Sequence, residues 1–198
     1  MIIDGIFIIS GYVLGSISSA IIVSRVLGLP DPRTQGSRNP GATNVLRLGG
    51  KRAAAVVFAG DCLKGLLPVL LARSLGASDW GLAGSALAAF LGHLYPAFFG
   101  FEGGKGVATA FGAILGLSPG VALCTLITWL LMALAVRISS LSALAAAVLS
   151  PFYLWWFNLP WPYVAAVLIM IALLIWRHRS NVRNLLAGSE GRIGGDKS

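Results

Sequence analysis

The chain of 198 residues alternates long apolar runs with short polar ones. A helix needs about 20 apolar residues to cross a bilayer. Seven segments suit that length or approach it: 2–24, 54–74, 79–99, 105–118, 120–137, 141–157 and 161–177. The fourth is short. Gly106 to Leu117 makes about 18 Å of helix, against a hydrocarbon core of about 30 Å. Positive charge decides whether it crosses. With seven crossings and the N-terminus outside, only Arg73 lies outside and only Lys64 lies within the membrane. The other basic residues, from Arg25 through Arg192 and Lys197, share the cytoplasmic side. A re-entrant fourth segment would send Arg137, Arg177, Arg179, Arg183, Arg192 and Lys197 outward and leave an even split. The positive-inside rule prefers seven crossings.

Within the runs, small residues recur four apart: Gly11, Gly15 and Ser19; Gly84, Ala88 and Gly92; Ala108, Gly112 and Gly116. Such stripes let helix backbones approach closely in lipid. "NLPWP" joins the last two runs, with Trp155, Trp156 and Trp161 placed as interfacial anchors. The expected architecture is all-α: one polytopic membrane domain over 1–198, seven transmembrane helices, N-terminus outside and C-terminus cytoplasmic. A loosely ordered polar tail is expected at about 189–198.

Composition agrees. The chain is 57% hydrophobic and 11% charged, where a soluble domain averages about 25% charged. Its net charge of +8 would suggest nucleic acid in a soluble protein. Here the charges sit between apolar runs, so no nucleic-acid partner is expected; the lipid surface or an anionic substrate uses such charge equally well. Cys62 and Cys124 fall inside apolar runs, without metal or redox spacing, and read as small buried hydrophobes. The first run has no basic start and is expected to be a retained helix, not a cleaved signal.

Three polar segments, all cytoplasmic in this topology, are too specific for linkers. "GSRNPGATNVLRLGGKR" (36–52) gathers Gly36, Ser37, Asn39, Gly41, Thr43, Asn44 and Arg47. Glycines let backbone N–H groups converge on an anion, and an arginine fork suits phosphate. A turn into a helix capped by Thr43 or Asn44 is the plainer reading, and is compatible, since a helix N-terminus binds anions. "FEGGKGVATAFG" (101–112) sets Lys105 among Gly103, Gly104 and Gly106. A nucleotide P-loop would need glycine at Phe99 and Ser or Thr at Gly106, so ATP is not supported. What remains suits one phosphate. "WRHRSNVRNLLAGSE" (176–190) reads as a basic stop signal, which has no special use for His178 or Asn181; His178 would bind phosphate or relay a proton. Within the membrane, Asp61 and Lys64 lie one turn apart and read as an ion pair near the site entrance, with direct catalysis the other reading. His93 is a packing histidine or, being close in sequence to Lys105, part of the site. Two histidines and no cysteine cluster speak against a metal centre, and no cofactor is expected.

Together these segments resemble the bacterial acyl-phosphate-dependent glycerol-3-phosphate acyltransferases, the PlsY family. "GSRNPGATN", "DCLKG" (61–65), "GHLYPAFFGFEGGKGVAT" (92–109) and "HRSN" followed by "GSE" correspond to its motifs in order, over essentially the whole chain. One position departs: the family's arginine three residues after the motif asparagine is Asn184 here, with Arg183 one residue earlier. One position is about 100° around a helix. The resemblance implies transfer of a fatty acyl group from acyl phosphate to the 1-hydroxyl of sn-glycerol 3-phosphate. The products would be lysophosphatidic acid and inorganic phosphate, made at the cytoplasmic face of the bacterial inner membrane. It implies phosphate binding by Ser37, Asn39, Thr43, Arg47, Lys105 and the N–H groups of Gly103, Gly104 and Gly106. Asn44, His178 and Asn181 would orient the headgroup and its hydroxyl, with Asp61, Lys64, His93 and Glu190 around the site or its entrance. The long-chain acyl group would lie between helices, in lipid. No HxxxxD pair and no Ser-His-Asp pattern is present, so direct transfer is expected, with a substrate phosphate oxygen or His178 taking the proton. The competing reading is a small transporter for a phosphorylated solute.

Overall fold

The computed structural model describes residues 2–193; Met1, Lys197 and the rest of the tail from 194 lie outside them. The helices in chain order are α1 (Ile2–Gly15), α2 (Ser19–Val26), α3 (Ala42–Ser74), α4 (Asp79–Leu94), α5 (Val107–Leu117), α6 (Pro119–Val136), α7 (Ser139–Trp156), α8 (Trp161–Arg177) and α9 (Arg179–Leu186). There is no strand among the described residues. Four stretches are long and apolar enough to cross a membrane: Ile2–Val26, Ala42–Ser74, Asp79–Phe99 and Pro119–Val136. A fifth is reached if α8 and α9, bent by 54°, count as one. The chain is thus an all-helical, multi-pass integral membrane protein. α5 is the short helix the sequence leads one to expect, at 11 residues. Its last carbonyls, Gly116 and Leu117, accept from the Arg73 guanidinium at 3.0 and 2.9 Å. A cation at a helix C-terminus satisfies orphan carbonyls and opposes the dipole.

Close backbone approach holds the bundle together. A Cβ on Gly15 would strike the Ala89 carbonyl, and one on Gly92 the Tyr12 carbonyl, so α1 and α4 meet backbone to backbone. Gly65 lies on the Thr109 carbonyl and Gly112 on the Cys62 carbonyl, which does the same for α3 and α5. Gly15, Gly92 and Gly112 belong to the small-residue stripes, whereas Gly84 and Gly116 of the same stripes meet the Ile8 and Val69 side chains. Ala108, at the head of the third stripe, lines a cavity.

Two spans depart from the simple reading. The expected helix 2–24 breaks at Ser16–Ser18. The Ser16 hydroxyl turns back onto the Tyr12 carbonyl at 2.8 Å, and Lys64 Nζ donates to the freed Ile17 carbonyl at 2.8 Å. Helix α3 begins twelve residues before the expected 54, and Gly50, at φ 78°, kinks it. The stretch from Ala42 to Gly49 is therefore a separate short helix leading into the span.

Loop contacts sort into two ends. At one, the Ser78 N–H donates to Asp4 Oδ1 (2.9 Å) and the Tyr163 hydroxyl to Asp79 Oδ1 (2.7 Å). Trp155, Trp156 and Trp161 are exposed there. At the other, the Arg33 guanidinium reaches the Phe99 carbonyl (3.2 Å), and the Ile193 N–H donates to the Arg137 carbonyl (2.6 Å). The three polar segments meet at this second end.

Candidate active site

The first segment is shaped from behind by Asn44. This fully buried side chain accepts the Ser37 N–H at Oδ1 (2.9 Å) and donates from Nδ2 to the carbonyls of Pro32 (2.9 Å) and Gln35 (3.0 Å). Gly36, at φ 62°, lies against Oδ1, where a Cβ would clash. Asn44 lines neither cavity described below; its polar atoms brace the loop that presents Ser37 and Asn39. It does not cap α3 either. Gly41, in extended conformation, is the N-cap, and Thr43 and Asn44 fall inside the first turn.

The glycines around Lys105 serve packing on α4. A Cβ on Gly103 would meet the His93 and Leu94 carbonyls, and one on Gly104 the His93 imidazole and the Pro40 carbonyl. Gly106 takes φ 85° against the Phe90 ring. The Gly104 N–H donates to the His93 carbonyl (3.2 Å), so this N–H is engaged inside the fold and does not face an anion. Arg177 grips the loop from the far side, its Nε donating to the Gly104 carbonyl (3.1 Å) and its Nη2 to the Gly103 carbonyl. Lys105 projects from this clamped turn, and its Nζ donates to Asn181 Oδ1. Asn181 Nδ2 donates to Glu190 Oε1 (2.6 Å), which also accepts the Ser140 hydroxyl (2.7 Å). Glu190 thereby ties α7 and α9 to the lysine. Burial lowers the Lys105 ammonium pKa, Glu190 opposes that shift, and Arg177 and Arg47 add to it.

His178 occupies the bend between α8 and α9, 3% exposed. Burial pushes its pKa down to about 4, against the raising effect of the Leu174 carbonyl. That carbonyl lies 2.8 Å from Nδ1. A carbonyl only accepts, so Nδ1 carries the hydrogen of the neutral ring and Nε2 is left as an acceptor. Deeper, the buried Asp61 Oδ1 lies 2.8 Å from Lys64 Nζ and 3.6 Å from His93 Nδ1. Lys64 spends a hydrogen on the broken first span. Asp61 and Lys64 are thus an ion pair that fixes a helix break, while Asp61 and His93 also border the main cavity.

Two cavities meet here. The larger, about 890 Å³, has a polar head of Ser37, Asn39, Thr43, Arg47, Lys105, His178, Asn181 and Glu190. Below the head it becomes an apolar chamber between α5, α6, α7 and α8, walled by residues such as Phe111, Trp129, Ala147 and Met170. The smaller, about 390 Å³, is strongly basic: Arg38, Arg177, Arg179 and Arg183 line it with Gly103 and Ser180. Ser37, Asn39, Lys105 and Ser180 border both. Arg183 thus takes part in the basic cavity, whereas Asn184, in the displaced position, borders the larger one. Sequence reasoning passed over Arg38, Arg177, Arg179 and Ser140. Arg177 had only its place in "WRHRSN" to mark it, and a basic residue there is what any membrane stop signal carries.

Comparisons with known proteins cover essentially the whole chain. A family model described as glycerol-3-phosphate acyltransferase matches residues 5–188. The glycerol-3-phosphate acyltransferase of Thioalkalivibrio sulfidiphilus is 55% identical, covering 98% of this chain and 96% of its own. That of Methylococcus capsulatus is 55% identical over 98% of both. The crystal structure of PlsY, an integral membrane glycerol 3-phosphate acyltransferase, in its glycerol 3-phosphate form is similar with a TM-score of 0.92, 41% identity and 96% coverage of both chains. Its lysophosphatidic acid form gives 0.89 and 40%, covering 96% of this chain and 95% of that one. Matched by the family model over residues 5–188 and 55% identical to relatives along nearly its whole length, the chain belongs to the PlsY family of glycerol-3-phosphate acyltransferases.

Proposed function

We propose that this protein transfers a fatty acyl group from acyl phosphate to the 1-hydroxyl of sn-glycerol 3-phosphate. The observation that carries this is the pair of cavities sharing Ser37, Asn39, Lys105 and Ser180. The larger suits a donor with an anionic head and an apolar tail; the smaller, basic and without a tail, suits a soluble phosphate ester. Lys105 between them is placed to neutralise both anions, which brings the acceptor hydroxyl to the acyl carbon. The hydroxyl oxygen forms the new ester bond to that carbon, and the bond from the carbon to the phosphate oxygen breaks. Lysophosphatidic acid and inorganic phosphate leave, and the hydroxyl proton passes to a phosphate oxygen or to His178 Nε2. Ser37, Asn39, Thr43 and Arg47 bind the donor phosphate, with Gly106 at the mouth of the chamber. Asn181, held by Glu190, orients Lys105.

The accompanying topology has seven crossings in the bacterial inner membrane, N-terminus outside, C-terminus and site cytoplasmic. The sorting of loops into two ends supports it, as does the crowding of basic residues at the end that holds the cavities. A transporter gains no support from the chamber's apolar depth. The test is release of inorganic phosphate by the purified protein given palmitoyl phosphate and glycerol 3-phosphate. Release should require both substrates and fall about 10²–10³-fold in Lys105→Ala. Release independent of glycerol 3-phosphate, or full activity in the variant, would sink the reading.

A further inference from the structure

The deep end of the apolar chamber is built from four helices in the same way. The deepest lining residues are Ser150 on α7, Thr125 on α6, Val167 on α8 and Ile114 on α5. One turn further on, each helix places a buried residue that does not line the chamber: Leu154, Val121, Tyr163 and Leu117. Residues three or four apart share a helix face, so these four stand directly beyond the lining. Their exposures are 1%, 0%, 6% and 4%, and they belong to one packed cluster. The chamber therefore ends in a dry plug. Its wall on α7 is small throughout: Ala143, Ala146, Ala147 and Ser150.

We infer that this plug and the α7 wall measure the length of the acyl chain. The inference rests on the donor proposed above. From Ser140, bonded to Glu190 at the polar head, to Ser150 the rise along α7 is about 15 Å. From His178 back to Val167 along α8 it is about 16.5 Å. A saturated chain of ~1.5 Å bonds in zigzag advances about 1.25 Å per carbon. About thirteen carbons fill the depth when extended. A decanoyl chain, about 11 Å, stops short of the plug, while a palmitoyl chain, about 19 Å, reaches it and must bend within the chamber. Adding bulk at Ser150 raises the floor; removing it at Leu154 lowers it.

The experiment compares kcat/KM for decanoyl, palmitoyl and stearoyl phosphate with glycerol 3-phosphate as acceptor, in wild type, Ser150→Leu and Leu154→Ala. Ser150→Leu should lower the palmitoyl-to-decanoyl ratio at least tenfold. Leu154→Ala should raise the stearoyl-to-decanoyl ratio at least threefold, and it decides alone if the larger side chain at 150 unfolds the protein. Ratios equal to wild type in a folded Leu154→Ala overturn the inference while leaving the donor reading intact. A wild type that transfers from none of the three donors overturns the donor reading itself, and the inference with it.

Discussion

Replacing Arg177 by methionine removes the clamp on the lysine turn while keeping the volume of its stem. The guanidinium makes two hydrogen bonds, to the Gly103 and Gly104 carbonyls. A charged donor contributes about 1.5–3 kcal/mol per bond. Arg177 is only half-buried and borders an open cavity, so water can replace part of what is lost. A net local cost of about 2 kcal/mol follows, taking roughly a third of the summed upper values. If Lys105 is productive only while the turn is clamped, kcat/KM falls by about 30-fold at 1.36 kcal/mol per factor of ten. The loss should appear mainly in kcat, since Arg38, Arg179 and Arg183 still line the basic cavity proposed for the acceptor. Arg177→Lys keeps the charge but loses the planar fork, and should recover less than a third of the deficit on a logarithmic scale. The assay is phosphate release under saturating acceptor, with thermal unfolding in detergent as control. Wild-type kcat in Arg177→Met, or full rescue by Arg177→Lys, refutes the clamp.

Asn44→Ala deletes three hydrogen bonds of a fully buried side chain and should cost about 3 kcal/mol, read as a lowered Tm; Asn44→Asp, which cannot donate to the Pro32 and Gln35 carbonyls, should not restore it. Gly112→Ala drives a Cβ into the Cys62 carbonyl and should destabilise the α3–α5 pair by about 1–3 kcal/mol, again seen in the melt. Once the ionisation of the substrate phosphate, near pH 6, is divided out, the pH profile of kcat/KM should be level from about pH 6 to 8. Its acid limb should fall only as His178 gains a proton near its lowered pKa of about 4, and its alkaline limb should begin below the ordinary lysine range, as Lys105 loses its charge. In His178→Gln the acid limb should vanish; an unaltered limb would remove His178 as the titrating group.

Much of this molecule is readable from spacing because lipid enforces simple rules. Gly15, Gly92 and Gly112 sit in four-residue stripes, and each proves to be a backbone contact between helices. Lys105 and Asn181, 76 positions apart, stand out as polar residues without a linker's excuse, and they are in contact. What the chain conceals is direction. The three glycines beside Lys105 look like a nest of N–H donors, yet they are small because α4 passes beneath them, and it is the carbonyls of Gly103 and Gly104 that are used. Asn44 has the chemistry to touch a ligand but points into its own loop. Arg177 is indistinguishable in sequence from its neighbours Arg179 and Arg183, because only the folded turn decides which guanidinium finds two carbonyls. The break at Ser16–Ser18 is hidden for a similar reason: the lysine that donates to its Ile17 carbonyl lies 47 residues away.

The plugged chamber also bears on how a membrane grows. With its polar head at one end and its blind end about 15 Å further in, the chamber admits a tail in one orientation only. On the mechanism proposed above, donor and product share that orientation, so every new lipid precursor is delivered to the leaflet its donor came from. Such an enzyme exchanges one single-tailed lipid for another within one sheet of the bilayer, so the tail count of that sheet stays constant while its headgroups change.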